Sequence, residues 1–396
     1  MDYKKTILEI AKIGELNKSL PFIANVEIFK NYFEYDGSLK VQELNETDGS
    51  SCTRRELLTR YLFLNAVLDQ GPDTEGVRLL LCNTINYLYS KEIRILHKPI
   101  EFFNYLGIVI DDIDQIHDII KRSDRPQVWA QDNNANANRY NLFMDNCQQT
   151  LNYAVFRWGV PLSVIMVLMA KNPDSKETLI EYIESDSDPA YPSSAEIMSN
   201  KIKSHKKLGL GKAIGDKAAH LFAKWFVHSF SLTTKANQIN WGKYSYEPPF
   251  DSNAGRVLFR TGFFLHFFNL KDLIKYKFIQ TKAGKNGNDF LRITNIRGYA
   301  PTMNVRDIDI EIYCNLCIYH LRVKTRNPRK YEIQNIPSTV LMKDGNYSIG
   351  NFDDGLMYIG TNYCFNTNSP SCKKCPIKNY CEGFKHNNAL ISNYNT

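Results

Sequence analysis

The sequence of 396 residues predicts a mostly α-helical protein. Three observations carry that prediction. From Arg54, apolar residues return at helical spacing, as in Leu57, Leu58, Tyr61, Leu62, Val67 and Leu68. A second apolar stretch, Leu142 to Ala170, keeps the same spacing. Finally, Lys201–Phe230 reads as a basic helix, a glycine-rich turn and an apolar-faced helix. Strand-like alternation shows at Ile308, Ile310 and Ile312, and the run from Cys314 is open to either assignment.

Composition sets the class. Apolar residues make up 43% of the chain, enough for a substantial core. The formal net charge of +7 has the right sign for a polyanionic partner, and 12% aromatic residues leave candidates for packing or base stacking. The first residues lack a signal-peptide apolar region. The longest apolar run, Val160 to Ala170, is too short to span a bilayer and contains Pro161. The expectation is a cytoplasmic monomer with no membrane contact. Nine cysteines agree with a reducing compartment.

Taken in order, residues 1–50 read as a short helix followed by irregular segments, and the Gly/Asn/Asp/Ser-rich stretch 38–52 marks a boundary. The helix from Arg54 stops at Asp69-Gln70-Gly71-Pro72, and a second begins near Thr74, where Asp73 or Thr74 can cap it. Residues 77–185 read as further helices, broken by an Asn-rich loop over 125–138.

The glycine-rich turn after Lys201–Lys207 allows backbone N–H groups to approach a phosphate, with a favourable dipole from the following helix. Its spacing fits neither a P-loop nor a dinucleotide fingerprint. Farther on, Asp251 follows two prolines and suits a helix N-cap, with Arg256 and Arg260 one turn apart beyond it. Cys314-x2-Cys317 reads as two buried structural cysteines, and Arg322–Lys330 as a basic run suited to phosphate or to solvent.

Near the C-terminus, Cys364, Cys372, Cys375 and Cys381 fall within eighteen residues as C-x7-C-x2-C-x5-C. Thiolates this close suit tetrahedral zinc or an iron–sulfur cubane. Two disulfides are the competing use, against the expected reducing compartment.

Three blocks, near 54–85, 200–264 and 364–381, resemble the endonuclease III-like helix-hairpin-helix DNA glycosylase superfamily in the family's order. The cysteines resemble its cluster loop, with Pro376 after the third and the first gap one residue longer. Ala213-Ile-Gly215-Asp-Lys217-Ala-Ala219 resembles the family's G-V-G-x-K-T-A. A competing register on Gly209-Leu-Gly211 places Ala213 at the lysine position. Pro249-Phe-Asp251 to Gly262 resembles V-D-T-H-x-x-R-V-x-x-R-x-G, with Asn253 in place of the histidine.

The resemblance implies a two-lobed fold with insertions and a [4Fe–4S] cluster loop. Residues 1–50 would pack with the C-terminal lobe, 51–231 would form a helical barrel ending in the hairpin, and 232–396 would carry Asp251 and the cluster. The implied function is excision of a damaged or modified base from double-stranded DNA, with lyase activity if Lys217 is the nucleophile. The flipped base would sit between the lobes. Lys217 and Asp251 would be catalytic; Gln70, Gly211, Lys212, Gly215, Arg256, Lys373 and Lys374 would contact DNA, with Lys378 also facing phosphate. The aromatic linker Thr233–Pro249 would fold away or touch DNA. The alternative is a catalytically inactive or zinc-dependent DNA-binding protein on a related scaffold.

Overall fold

The computed structural model describes residues 3–21, 23–49, 52–69, 74–116, 154–185, 193–246, 248–249, 252–261, 277–282, 289–294, 307–309, 335–365, 371–381 and 384–385. Among these residues the chain is mostly helical. It divides into two compact units, Leu20–Tyr246 and a second made of Met1–Ser19 with Glu247–Thr396.

The Leu20–Tyr246 unit is built on α2 (Arg54–Leu68). Thr53 caps this helix by accepting the Glu56 N–H at 3.1 Å. All side chains from Glu56 to Leu68 are buried, so the helix is a core element rather than an amphipathic surface helix. Around it lie α3 (Thr74–Ser90), α4 (Ile100–Leu106), α5 (Ala154–Lys171), α6 (Thr178–Glu184), α7 (Ala195–Ser204) and α8 (Asp216–Lys224). Phe63 of α2 meets Phe222 of α8 edge to face at 5.6 Å.

Two buried charges on α2 are answered locally. Arg60 and Glu56 pair at 2.8 Å, and both are nearly inaccessible. Glu56 also accepts the Leu179 and Ile180 amides, while Arg60 donates to the Leu96 carbonyl. Asp69, which follows α2, pairs with Arg78 of α3 at 3.2 Å. The Arg78 guanidinium lies over Trp225, 5.6 Å from the ring centre.

The unit boundaries differ from the expected 50/51 and 231/232. Residues 20–50 belong with the helical unit, because Phe29 packs edge-on against Tyr61 at 5.4 Å and the Asn25 carbonyl accepts from Cys82. A two-residue hairpin, β1 (Thr47–Asp48) with β2 (Cys52–Thr53), leads directly into α2. The linker after the hairpin also folds into this unit. Trp241 is buried and donates to the Ser193 carbonyl at 3.1 Å, Tyr246 is buried, and Thr233 donates to Glu184 at 2.7 Å.

In the other unit, α1 (Tyr3–Leu16) packs on α11 (Ile349–Asn362) through glycines. A Cβ on Gly355 would overlap the Ile10 carbonyl, and one on Gly14 the Asn351 carbonyl. This unit also holds α9 (Ser252–Arg260), α10 (Asn335–Asp344) and a three-stranded antiparallel sheet. The sheet joins β3 (Lys277–Lys282), β4 (Asp289–Thr294) and β5 (Asp307–Asp309), with Lys282 opposite Asp289 and Ile293 opposite Ile308. Sequence periodicity pointed only to the strand near Ile308, so β3 and β4 are additions to the expected architecture. No helix among the described residues is long and apolar enough to cross a membrane.

Candidate functional site

Two groups of expected residues are each assembled within one unit. The first is the turn between α7 and α8. Ser194 starts α7 by accepting the Ile197 amide at 3.2 Å. After Ser204 the chain reverses, and His205 Nδ1 accepts the Leu208 amide at 2.9 Å and the Lys207 amide at 3.3 Å. Partial burial of His205, together with the charges of Lys201 and Lys171, holds its pKa below the ordinary imidazole value.

The glycines of this turn do different work. Gly209 is packed so closely on His205 that a Cβ would overlap its backbone, and Gly211 takes a left-handed φ of +54°. Gly215 is required by neither: its φ is −94°, and a Cβ there would meet nothing within 4 Å. It is exposed and forms the N-cap of α8. Lys217 is the second residue of α8 and half-buried, with Ala218 and Ala219 buried behind it. In the competing register, the lysine position falls on Ala213, a buried residue ending the 3₁₀ turn Gly211–Ala213. The backbone of Lys212 lies in that same turn; its side chain lies outside the described residues.

The second group is the cysteine turn after α11. Cys364, Cys372, Cys375 and Cys381 form no disulfide and are partly accessible. The turn is tied by the Ser371 amide to the Tyr363 carbonyl at 2.8 Å and by the buried Ile377. Burial first, and then the neighbouring Cys364, Cys381 and Cys372, push the Cys375 thiol up to about 12, against the opposing hydrogen bond from the Ile377 backbone. Burial and Cys364 also raise Cys372, against the opposing charge of Arg260.

Arg260, the last residue of α9, is 4% exposed. Its Nη1 donates to Cys364 Sγ at 3.4 Å, and its carbonyl accepts from Cys381 Sγ at 3.3 Å. Four soft donors in one short turn, with a buried cation beside them, fit a four-thiolate metal centre in donor kind and number. Among the described residues, no three His, Cys, Asp or Glu side chains close on a point that could hold a metal ion.

Lys373 and Lys374 are exposed on the short helical turn Cys372–Lys374. Lys378 donates to the Lys373 carbonyl at 3.0 Å, so it braces the turn. Arg256 lies in α9, its side chain outside the described residues. Gln70, Asp251, Cys314, Cys317 and the basic run 322–330 lie outside the described residues altogether. The sequence reading missed the inward turn of Arg260 and the anchoring arginines Arg78 and Arg157. Arg157 of α5 donates to the Val67 carbonyl at 3.1 Å and the Ala213 carbonyl at 2.9 Å. Only the apolar company of Arg157 in Val155–Ala170 could have marked it.

In comparisons with protein-family models, with curated proteins and with solved structures, nothing matches this chain.

Proposed function

We propose that this protein is a DNA glycosylase of the helix-hairpin-helix kind, excising a damaged or modified base from double-stranded DNA with associated lyase chemistry. The observation that carries the reading is the α7–α8 turn. There a glycine that local geometry does not demand stands exposed at the N-cap of α8, one residue before a helix whose second residue is Lys217. A helix start preceded by open backbone suits a DNA phosphate. The family register then makes Lys217 the nucleophile.

The chemistry follows from those roles. The target nucleotide leaves the stack so that C1′ becomes accessible. The Lys217 amine, in its neutral form, forms a bond to C1′ as the bond from C1′ to the base nitrogen breaks. The electron pair of that bond departs with the base, which takes up a proton. The partial positive charge at the start of α8 is unfavourable to an ammonium there. Asp251, as a carboxylate, would stabilise the positive charge developing on the sugar. The amine adduct opens to a Schiff base, from which loss of a C2′ proton breaks the 3′ carbon–oxygen bond. Cys364, Cys372, Cys375 and Cys381 would hold a [4Fe–4S] cluster whose part is to fix the loop that presents Lys373 and Lys374. Gln70 would fill the space vacated by the base, and Arg256 would contact DNA.

The test is borohydride trapping on a panel of duplexes carrying different modified bases. A covalent protein–DNA adduct with one of them, absent in Lys217→Ala and nearly absent in Asp251→Asn, is the expected result. Asn caps a helix about as well as Asp, so loss in that variant reports charge rather than folding. An adduct that survives Lys217→Ala moves the nucleophile elsewhere. Duplex binding without excision of any base, or stoichiometric zinc without iron, supports the non-catalytic or zinc-dependent reading instead.

A further inference from the structure

The turn that carries Gly211 to Gly215 is not held by its own bonds alone. Within it the Ala213 amide donates to the Leu210 carbonyl at 3.0 Å, and the chain then runs extended through Ile214 and Gly215 into α8. Among the described residues, the Ile214 and Gly215 N–H groups have no hydrogen-bond partner. The Ala213 carbonyl is fixed from outside the turn, by Arg157 on α5.

The same Nη1 also binds the Val67 carbonyl, in the last turn of α2. The negative end of the α2 dipole favours a guanidinium there. One nitrogen therefore pins the hairpin turn to the end of the central helix. A peptide unit is planar and trans, so its C=O and N–H point in opposite directions. Holding the Ala213 carbonyl toward Arg157 thus aims the Ile214 N–H away from it.

We infer that Arg157 is a positioning residue for DNA binding: it orients the hairpin's open amides toward a backbone phosphate and does not itself touch the nucleic acid. The inference rests on the hairpin reading given above. Arg157 acts through the Ala213 peptide and sets the phosphate cradle of which Gly215 is the open wall. The ligand is the phosphodiester of duplex DNA, bound irrespective of sequence.

The experiment measures the affinity of the full-length protein for an unmodified duplex, and the slope of log affinity against log salt. It uses the wild type, Arg157→Met, Arg157→Lys and Lys212→Glu, with urea unfolding run in parallel. Arg157→Met keeps the aliphatic stem and removes both contacts; a loss of about tenfold in affinity is expected, the scale of one charge-assisted hydrogen bond. The salt slope should stay at the wild-type value, because no phosphate contact disappears. An arginine lying on phosphate would instead lower the slope by about 1. Arg157→Lys keeps the charge but not the planar fork, and should fall between wild type and Arg157→Met.

A reduced slope in Arg157→Met makes Arg157 a direct phosphate contact and overturns the inference. A lower urea midpoint with unchanged affinity makes Arg157 merely structural and overturns it too. Should Arg157→Met fail to fold, the decision passes to Arg157→Lys on the same two readouts, affinity and slope. Lys212→Glu reports on the underlying reading. If it binds DNA as wild type does, the hairpin is not the DNA surface and the inference falls with that reading. If it loses affinity while both Arg157 variants bind normally, only the inference falls.

Discussion

Replacing Arg260 by Met separates the metal centre from the scaffold. Arg260 is buried at 4% exposure, and its guanidinium lies 3.4 Å from Cys364 Sγ. In the metal-free protein this is a cation held out of water beside thiols, and exchanging such a buried charge for a hydrophobe of similar volume is often neutral or stabilising. With thiolates bound to metal, the same contact becomes a charge-assisted hydrogen bond, worth about 1.5–3 kcal/mol. At about 1.4 kcal/mol per factor of ten, that is roughly 10–100-fold in retention, the range typical of groups that brace metal ligands. The assay compares iron release to a chelator in wild type and Arg260→Met, purified anaerobically, with urea unfolding of both metal-free proteins. The expected pattern is iron lost at least tenfold faster, with the metal-free midpoint little changed or raised. Equal iron retention would refute the reasoning, because the contact between Arg260 and Cys364 would then add nothing to holding the metal.

Arg60→Met strands the Glu56 carboxylate, which is fully buried, and should cost about 3–5 kcal/mol in urea unfolding. Gly355→Ala must push α1 off α11 at the Ile10 carbonyl; overpacking of this kind costs about 1–3 kcal/mol, read as faster amide exchange along residues 3–16. His205 has a folded-state pKa below its unfolded value, so folding favours the neutral ring and its contribution is present above about pH 6.5. As pH falls on through the lower folded-state pKa, Nδ1 gains a proton and can no longer accept the Leu208 amide, so the exchange protection of Leu208 should drop in wild type and be flat with pH in His205→Ala.

What the sequence made legible was whatever local chemistry writes locally. Helical periodicity from Arg54 gave α2 and the Asp69–Thr74 break, because a buried helix and a Gly-Pro stop both leave marks within a few residues. The apolar-faced helix after the glycine-rich turn was legible for the same reason, and α8 begins at Asp216. The strands β3 and β4 were not, because Lys277–Lys282 and Asp289–Thr294 are six residues each and their apolar residues fall side by side rather than in alternation. The expected boundary near residue 50 came from the linker-like composition of the Gly/Asn-rich stretch 38–52, whereas the compact unit begins at Leu20. The backbone of its described residues is tied to the start of α2, with the Arg54 and Arg55 amides donating to the Glu46 and Leu44 carbonyls.

Three arginines show why the candidate sites were only partly readable. Arg78, Arg157 and Arg260 all reach backbone or sulfur acceptors distant in sequence: Leu20, Val67 and Ala213, and Cys364. An arginine on a basic chain reads as a surface cation, and composition offers no way to tell the buried ones from the rest. Their partners share a trait, however. Val67 lies at a helix end, Ala213 in a turn between helices, and Cys364 in the turn that follows α11. These are places where the regular hydrogen-bond ladder stops and acceptors are left over. A planar fork of donors suits such scattered acceptors better than a lysine's point charge. At Val67, Ala213 and Cys364 the chain uses arginines where its helices end, and both candidate sites are built at those ends. The residues that would touch DNA or metal could be read from short motifs; the residues that hold those motifs in place could be found only once the helix ends were located.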